Sequence, residues 1–346
     1  MIYRYPDYYR DFRCIAGDCR DSCCKGWEID IDSDTADYYA AVKGSFGERL
    51  RSSIKNGSFV LTADQRCPFL NSSGLCDIYT ELGGDKLCKI CSDHPRFYEW
   101  FGSFKEGGIG LCCEAAAELI LSRPFLLREE EAPPEDAAGE YDEELLSMLL
   151  RARDEMFAAL EREDIPLWEA LCRILDIAAE IQDCLDMPFP DSSAELPCSG
   201  TLGSFFACLS ELEPIDESWQ PYISACAEKL SSAAPHESGQ DILLRRLGAY
   251  FIYRYLLKSV YDGQVLGYAK FTVFSLIIID RLCRLAEEGC TADRCAGIAK
   301  NYSKETEYCE ENMAELLERF GQEPCFGTLS LKNLIAASFP ENVDGN

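Results

Sequence analysis

The chain has 346 residues, 47% of them apolar, and a formal net charge of -28. That length allows one large domain or two ordinary ones with a real core. The acidity excludes nucleic acid as the main partner, since phosphate binding asks for a basic face. The charge is uneven, net -4 over residues 1–125 and -24 over the remainder. The acidic part serves solubility and is compatible with a basic protein partner that presents lysines. The start, Met1 to Asp7, is polar and aromatic rather than a signal peptide. The most apolar run, residues 271–279, stops at Asp280 and is too short to insert into a membrane. The expected location is cytoplasmic.

In chain order, residues 27–32 alternate apolar and acidic and predict a strand. Asp34 is positioned to cap a helix that runs to about Val42 and ends at Gly44. Residues 58–61 predict a second short strand, and residues 75–82 a helical turn or two closed by Gly83 and Gly84. Residues 97–101 are aromatic and β-prone. The glycines at 107, 108 and 110 do not clearly join a strand to a helix, as a nucleotide loop must, and are expected as a flexible connection to Cys112. A helix is expected from about Cys113 to Ser122, before Pro124. Residues 126–140 hold a glutamate run and Pro133-Pro134 and read as a solvated linker.

Beyond it the pattern turns helical. Leu145, Leu149, Met156 and Leu160 share a face, as do Leu167, Leu171, Ile174 and Ala178. Residues 186–200 hold three prolines and predict a loop. Long helices are expected at about 240–262 and 264–288, broken at Asp262-Gly263. Another is expected at about 303–320, with Ser303 as cap and Gly321 past its end. The fold class is therefore mainly α. A cysteine-rich α+β metal-binding module (1–125) is followed by an acidic linker (126–140) and a helical domain (141–346).

Half of the twenty cysteines fall in the first 113 residues, in groups: Cys14, Cys19, Cys23 and Cys24; Cys67 and Cys76; Cys88 and Cys91, trailed by Cys112 and Cys113. Thiolates gathered this densely repel one another, and a metal centre neutralises that repulsion. Adjacent cysteines bond each other poorly but can send sulfur to one centre or to two. In a reducing compartment such clusters mean metal or catalysis rather than disulfides. Zinc often takes two CxxC knuckles, and only Cys88-x2-Cys91 is one. Irregular gaps and two doublets favour an iron–sulfur cluster, with zinc as the alternative.

The motif Cys19-x3-Cys23-Cys24 lacks the last spacing of the radical S-adenosylmethionine signature. Later cysteines, among them Cys172, Cys184, Cys208, Cys226, Cys283 and Cys290, sit among apolar residues and read as small packing groups. Two histidines are too few for a histidine-rich zinc hydrolase and make a Ser-His-Asp triad improbable. His94 is expected to make a structural hydrogen bond, and His236 is assigned no role. The tyrosines at 3, 5, 8 and 9 and at 250, 253, 255, 261 and 268 read as packing by default. Their sharper reading is an aromatic pocket for an ammonium or sulfonium group.

Several blocks resemble the flagellin lysine-N-methylases. Pro6-Asp7-Tyr8 leads to Phe12-x-Cys14, then Cys19-x-Asp21-x-Cys23-Cys24-x-Gly26-Trp27-x-Ile29-x-Ile31-Asp32. Cys67-Pro68-Phe69-Leu70, Leu75-Cys76-x-Ile78-Tyr79 and Leu87-Cys88-x2-Cys91-x3-Pro95-Arg96 follow. Cys113-Glu114-Ala115-Ala116 resembles the block that closes the region, but lacks its proline. In the back half Leu256 and residues 303–308 are similar to later helical blocks, with Cys309 where the family usually has a histidine.

The resemblance implies methyl transfer from S-adenosylmethionine to surface lysines of flagellin. It also implies a four-iron four-sulfur cluster held among Cys14, Cys19, Cys23, Cys24, Cys67, Cys76, Cys88, Cys91 and Cys113. The cysteine region is similar as well to a broader group of zinc- or iron-chelating proteins. The alternative function is thus a non-catalytic metal-binding interaction or redox protein. No catalytic base is singled out.

Overall fold

The computed structural model describes residues 1–135, 140–185, 189–191, 201–286 and 289–339. The protein is mainly helical with a small mixed sheet near its N-terminus. The chain opens with strand β1 (Ile2–Pro6) and continues through helices α1 (Ser33–Ala41) and α2 (Gly44–Ser52). A two-stranded hairpin follows, β2 (Ile54–Lys55) with β3 (Ser58–Phe59), then α3 (Asp77–Leu82) and α4 (Lys89–Asp93). Strands β4 (Arg96–Phe101) and β5 (Phe104–Ile109), helix α5 (Glu114–Ser122) and strand β6 (Leu127–Glu131) complete the mixed part.

The sheet order is β4-β5-β1-β6, with β1 parallel to β5 and the outer pairs antiparallel. Residues 107–109 are thus strand rather than a flexible connection. Gly107 and Gly108 are there for close packing: an added Cβ would fall 2.2 Å from the Tyr3 hydroxyl at the first and 2.3 Å from the Phe97 ring at the second.

The glutamates at 129–131 also differ from expectation. They form β6 at the sheet edge, where Glu129 meets Arg4 at 2.6 Å and Glu130 accepts from the Tyr5 hydroxyl at 3.1 Å. Cross-strand partners of this kind hold an acidic strand that would otherwise stay in solvent. Glu135 then accepts from Lys105 at 2.9 Å and Trp100 at 2.8 Å.

Two further expectations shift locally. Residues 27–32 make one bridge, Asp30 to Ser58, because the partner strand is only two residues long. Asp32, not Asp34, caps α1 by accepting from Thr35 N at 3.1 Å, and Gly44 opens α2 rather than ending a helix.

The helical part runs α6 (Glu143–Glu161), α7 (Leu167–Asp183), α8 (Leu202–Glu211), α9 (Trp219–Glu228), α10 (Asp241–Tyr255) and α11 (Ser259–Asp262). It continues with α12 (Val265–Leu285), α13 (Ala292–Glu307), α14 (Glu310–Gln322) and α15 (Thr328–Ser338). Gly263, at φ +70°, makes the expected break before α12.

Helix α12 is buried along most of its length, with Phe271, Val273, Phe274, Leu276, Ile278 and Ile279 fully covered. Each such side chain contributes roughly 1.5–3 kcal/mol. Helix α12 is therefore a core element, and among the described residues no helix is long and apolar enough to cross a membrane. The helix expected at 303–320 is in fact two. Thr291 caps α13 by accepting from Arg294 N at 3.3 Å, so Ser303 lies inside that helix and Cys309 precedes α14. The loop expected at 186–200 falls largely outside the described residues.

Apolar packing forms two clusters. The larger takes in Tyr8, Phe12, Phe101, Phe104, Ile109, Leu111 and α5 together with α6 to α15. The smaller holds Ile29, Ile31, Tyr39, Leu50, Phe59, Cys67, Phe69, Ile78 and Cys88.

Candidate metal centres

The smaller cluster is lined with sulfur. Cys67 and Cys88 lie in it and Cys24, Cys76 and Cys91 pack against it. Backbone bonds set their positions: Cys67 N donates to Cys24 O at 2.8 Å, and Cys76 bridges Leu70. The Cys88 and Cys91 thiols, one turn apart at the start of α4, hydrogen-bond each other. Burial, with the nearby charges of Cys24, Cys76 and Cys88, pushes the Cys67 thiol up to about 12. Burial likewise raises Cys76, which feels Cys24. The hydrogen bond to Cys88, then burial and the charges of Cys88, Cys24 and Cys67, raise Cys91 far above its ordinary range.

A second group lies where the N-terminal loop meets α5. Cys113 is the N-cap of that helix. Burial raises its thiol, and Cys14 adds to the effect. Cys19 donates to Asp21 O at 3.0 Å and to Glu114 Oε2 at 3.5 Å. Burial and the charges of Glu114 and Cys113 outweigh the Asp21 bond and bring it to about 11. Cys23 is raised by its hydrogen bond to Cys24, by burial, and by Cys24, Cys113 and Cys14. Cys24 is the ionisable partner of that pair. The bond from Cys23 outweighs burial and, with Ser22 and Arg66, draws it down to about 7.

The nine cysteines singled out in the sequence thus divide: Cys14, Cys19, Cys23 and Cys113 on one side, Cys24, Cys67, Cys76, Cys88 and Cys91 on the other. The doublet Cys23-Cys24 contributes to both. The doublet Cys112-Cys113 also splits, since Cys112 faces Tyr308 and Arg254.

The loop carrying the second group is tied to the helical part. Asp21 pairs with Lys300 and, at 3.4 Å, with Lys304, both on α13. Arg20 pairs with Glu114 and with Asp293 at 3.4 Å.

A third sulfur group was not expected. Cys283, Cys290 and Cys295 place all three Sγ atoms within 4.8 Å of one another, the one such group of three metal-ligating side chains among the described residues. Cys283 is buried in the larger apolar cluster and Cys290 packs against it, as expected, and with Cys295 they could also hold a metal. The spacing Cys283-x6-Cys290-x4-Cys295 was the available signal. Thiol hydrogen bonds from Cys283 and Cys295 outweigh burial and draw Cys290 down to about 3. His236, given no role by the sequence, bridges Asp280 at 2.8 Å and Asp241 at 2.6 Å beside this triad. Burial opposes its charge, but the two carboxylates prevail and raise it to about 9.

Spacing separates the three groups chemically. A tetrahedral ion with metal–sulfur bonds of about 2.3 Å holds its thiolates roughly 3.8 Å apart. The triad, with its sulfurs within 4.8 Å of one another, approaches that single-ion spacing. Among the described residues the two N-terminal groups bring no three sulfurs within 4.8 Å of one another.

A polar network lies between Cys112 and α10. The Tyr250 and Tyr255 hydroxyls donate to Glu307 Oε2 at 2.9 and 2.7 Å, and Arg254 donates to the Tyr250 hydroxyl at 2.8 Å. Glu307 Oε1 is buried with no hydrogen-bond partner. The Arg254 guanidinium lies over the rings of Phe97, Tyr255 and Tyr308. Tyr250, Tyr253, Tyr255 and Tyr268 are buried, which agrees with the packing reading, whereas Tyr261 is exposed. The hydrogen bond expected of His94 is not made by its Nε2, which is buried without a partner.

Fold and sites define a mainly helical, cysteine-rich protein with a sulfur triad that could hold a metal. Over part of its length it is a distant homologue of the lysine-N-methylases. It is 30% identical over 129 residues to the lysine-N-methylases of Salmonella choleraesuis and Salmonella typhimurium, matches that cover 34% of this chain. It is 26% identical over 132 residues to the flagellar biosynthetic protein FliU of Salmonella muenchen, covering 34% of this chain and 76% of that protein. The matched part spans about a third, 32%, of the length of the two lysine-N-methylases. No family model matches the chain, and no solved structure does.

Proposed function

We propose that this protein is an S-adenosylmethionine-dependent N-methyltransferase that modifies surface lysines of flagellin in the cytoplasm. The observation that carries the reading is the distant homology to two lysine-N-methylases and to a flagellar biosynthetic protein. The N-terminal thiols fit an iron–sulfur cluster, because each group offers at least the four cysteines that such a cluster takes. Cys14, Cys19, Cys23 and Cys113 would hold one, or Cys24, Cys67, Cys76, Cys88 and Cys91 would supply four to another. Bound there, a cluster supplies either a fold-stabilising core or an iron site for the cofactor.

The reaction is a displacement at a sulfonium methyl, and the attacking amine must first lose a proton that it holds with a reference pKa of about 10.4. Desolvation of the lysine favours that loss. The acidic back part of the chain, net -24, suits a partner that presents lysines.

The test is calorimetric titration of S-adenosylmethionine into protein prepared without oxygen. Saturable binding supports a methyltransferase. Absence of binding favours the second reading, a metal-binding or redox protein without methyl transfer. The convergence of sulfur at three places is the observation on that side.

A further inference from the structure

Cys283, Cys290 and Cys295 lie apart in sequence from the cysteine-rich region and take no part in the proposed reaction. The last turn of α12 supplies Cys283, the connection supplies Cys290, and the first turn of α13 supplies Cys295. Gly289, at φ +80°, gives the turn that leads into Cys290, and a residue with a side chain would be strained there. Cys283 and Cys295 are buried and Cys290 partly exposed, and all three are free thiols.

Three observations point to a ligand rather than to packing. The sulfurs lie within 4.8 Å of one another, close to the roughly 3.8 Å that a single tetrahedral ion imposes on its thiolates. The same sulfurs line a small void of about 10 Å³, shared with Leu243, Leu244, Asp280 and Gln240. Gln240 Oε1 is buried with no hydrogen-bond partner, a neutral oxygen donor at the edge of that void. Oppositely charged groups stand around the site. Arg284 Nε is 2.9 Å from Asp280 Oδ2, His236 Nδ1 is 2.8 Å from Asp280 Oδ1, and Arg294 lies in the first turn of α13.

We propose that Cys283, Cys290 and Cys295 bind one zinc ion, with Gln240 Oε1 or a solvent oxygen in the fourth position. Thiolates are soft donors that select zinc over hard cations, and a three-sulfur site with one oxygen is within zinc's tetrahedral habit. Each ligating thiol releases its proton to solvent on binding. The ion fastens the end of α12 to the start of α13. Helix α13 also carries Lys300 and Lys304, which hold Asp21 beside Cys23 and Cys24. The zinc site thereby braces the helix on which the N-terminal sulfur loop rests.

The experiment uses the full chain purified without oxygen. Zinc, iron and sulfide are measured in the wild type and in Cys290→Ala and Cys295→Ala. Each variant is expected to lose one equivalent of zinc and to keep its iron and sulfide. Should the variants fail to fold, the wild type supplies a second readout. Zinc should slow alkylation of Cys290, followed by peptide mass spectrometry, and a zinc chelator should restore the faster rate. Undiminished zinc in both folded variants would overturn the proposal. So would a Cys290 alkylation rate indifferent to zinc, or a disulfide among the three cysteines in anaerobic protein.

Discussion

Arg153 on α6 and Glu106 on β5 form a two-pronged ion pair, both contacts at 2.7 Å, with each side chain only 2% exposed. The pair joins a strand from before the acidic run to the first helix after it. It lies in the body where the Tyr253 hydroxyl also donates to Gly107 O at 3.0 Å. Two charges removed from water repay their desolvation only when both are present. Arg153→Leu should therefore cost about 3–5 kcal/mol. The double variant Arg153→Leu with Glu106→Leu should recover much of that. Urea unfolding of the three proteins checks it. Equal losses in single and double variants would show that the pair is not the source of the cost.

The division of Cys23 and Cys24 between two sulfur groups predicts how metal is lost. Cys23→Ser and Cys24→Ser should each remove part of the iron and sulfide, and the double variant should remove more than either. Serine replaces a soft, ionisable thiol by a poor ligand. Cys226→Ala, outside all three groups, should leave metal content unchanged and cost about 1 kcal/mol. Iron and sulfide assays on anaerobic protein decide. Equal depletion in both singles, with no further loss in the double, would mean one shared centre.

His94 is expected to make the protein sensitive to acid. Burial, with Arg254 nearby, lowers its pKa to about 4 from the usual 6.5, so the folded state holds the neutral ring. A depressed histidine contributes stability above its unfolded pKa, and that contribution is lost as pH falls from 6.5 through about 4. The loss is on the order of 3 kcal/mol across that window. Wild type and His94→Phe should be unfolded in urea at both ends of the window, with the variant losing less stability on acidification. Identical losses would place the acid sensitivity elsewhere.

Glu307 accepts two tyrosine hydroxyls while its second oxygen has no partner. Tyr255→Phe removes one donor and should cost about 1 kcal/mol. Glu307→Leu strands both hydroxyls and should cost about 1–3 kcal/mol or more. Thermal unfolding of both variants tests the order. A costlier Tyr255→Phe would contradict the network.

Much of this was legible in the chain. The break at Gly263 and helices α6, α7 and α12 follow from glycine punctuation and an unmistakable apolar period. The alternative that Cys23 and Cys24 serve two centres was open from adjacency alone, and only folding brings Cys113 to one and Cys67 to the other. Strand β6 was hidden because a glutamate run looks solvated until Arg4 and Tyr5 lie across from it. Strand β5 was hidden because glycines at 107 and 108 suggest a loop, whereas Tyr3 and Phe97 need their missing side chains. The triad escaped because its cysteines come from three different places, the end of α12, the connection and the start of α13. Its meaning comes from the turn that folds α13 back on α12.

The most direct measurement of the central claim is methyl transfer itself. Full-length protein made without oxygen would be incubated with flagellin and S-adenosylmethionine carrying an isotopically labelled methyl group, and the flagellin then mapped by peptide mass spectrometry. Labelled methyl groups are expected on lysine ε-amines of flagellin, lost when those lysines are changed to arginine. Unlabelled flagellin, from protein that retains its iron and sulfide and binds S-adenosylmethionine, would contradict it.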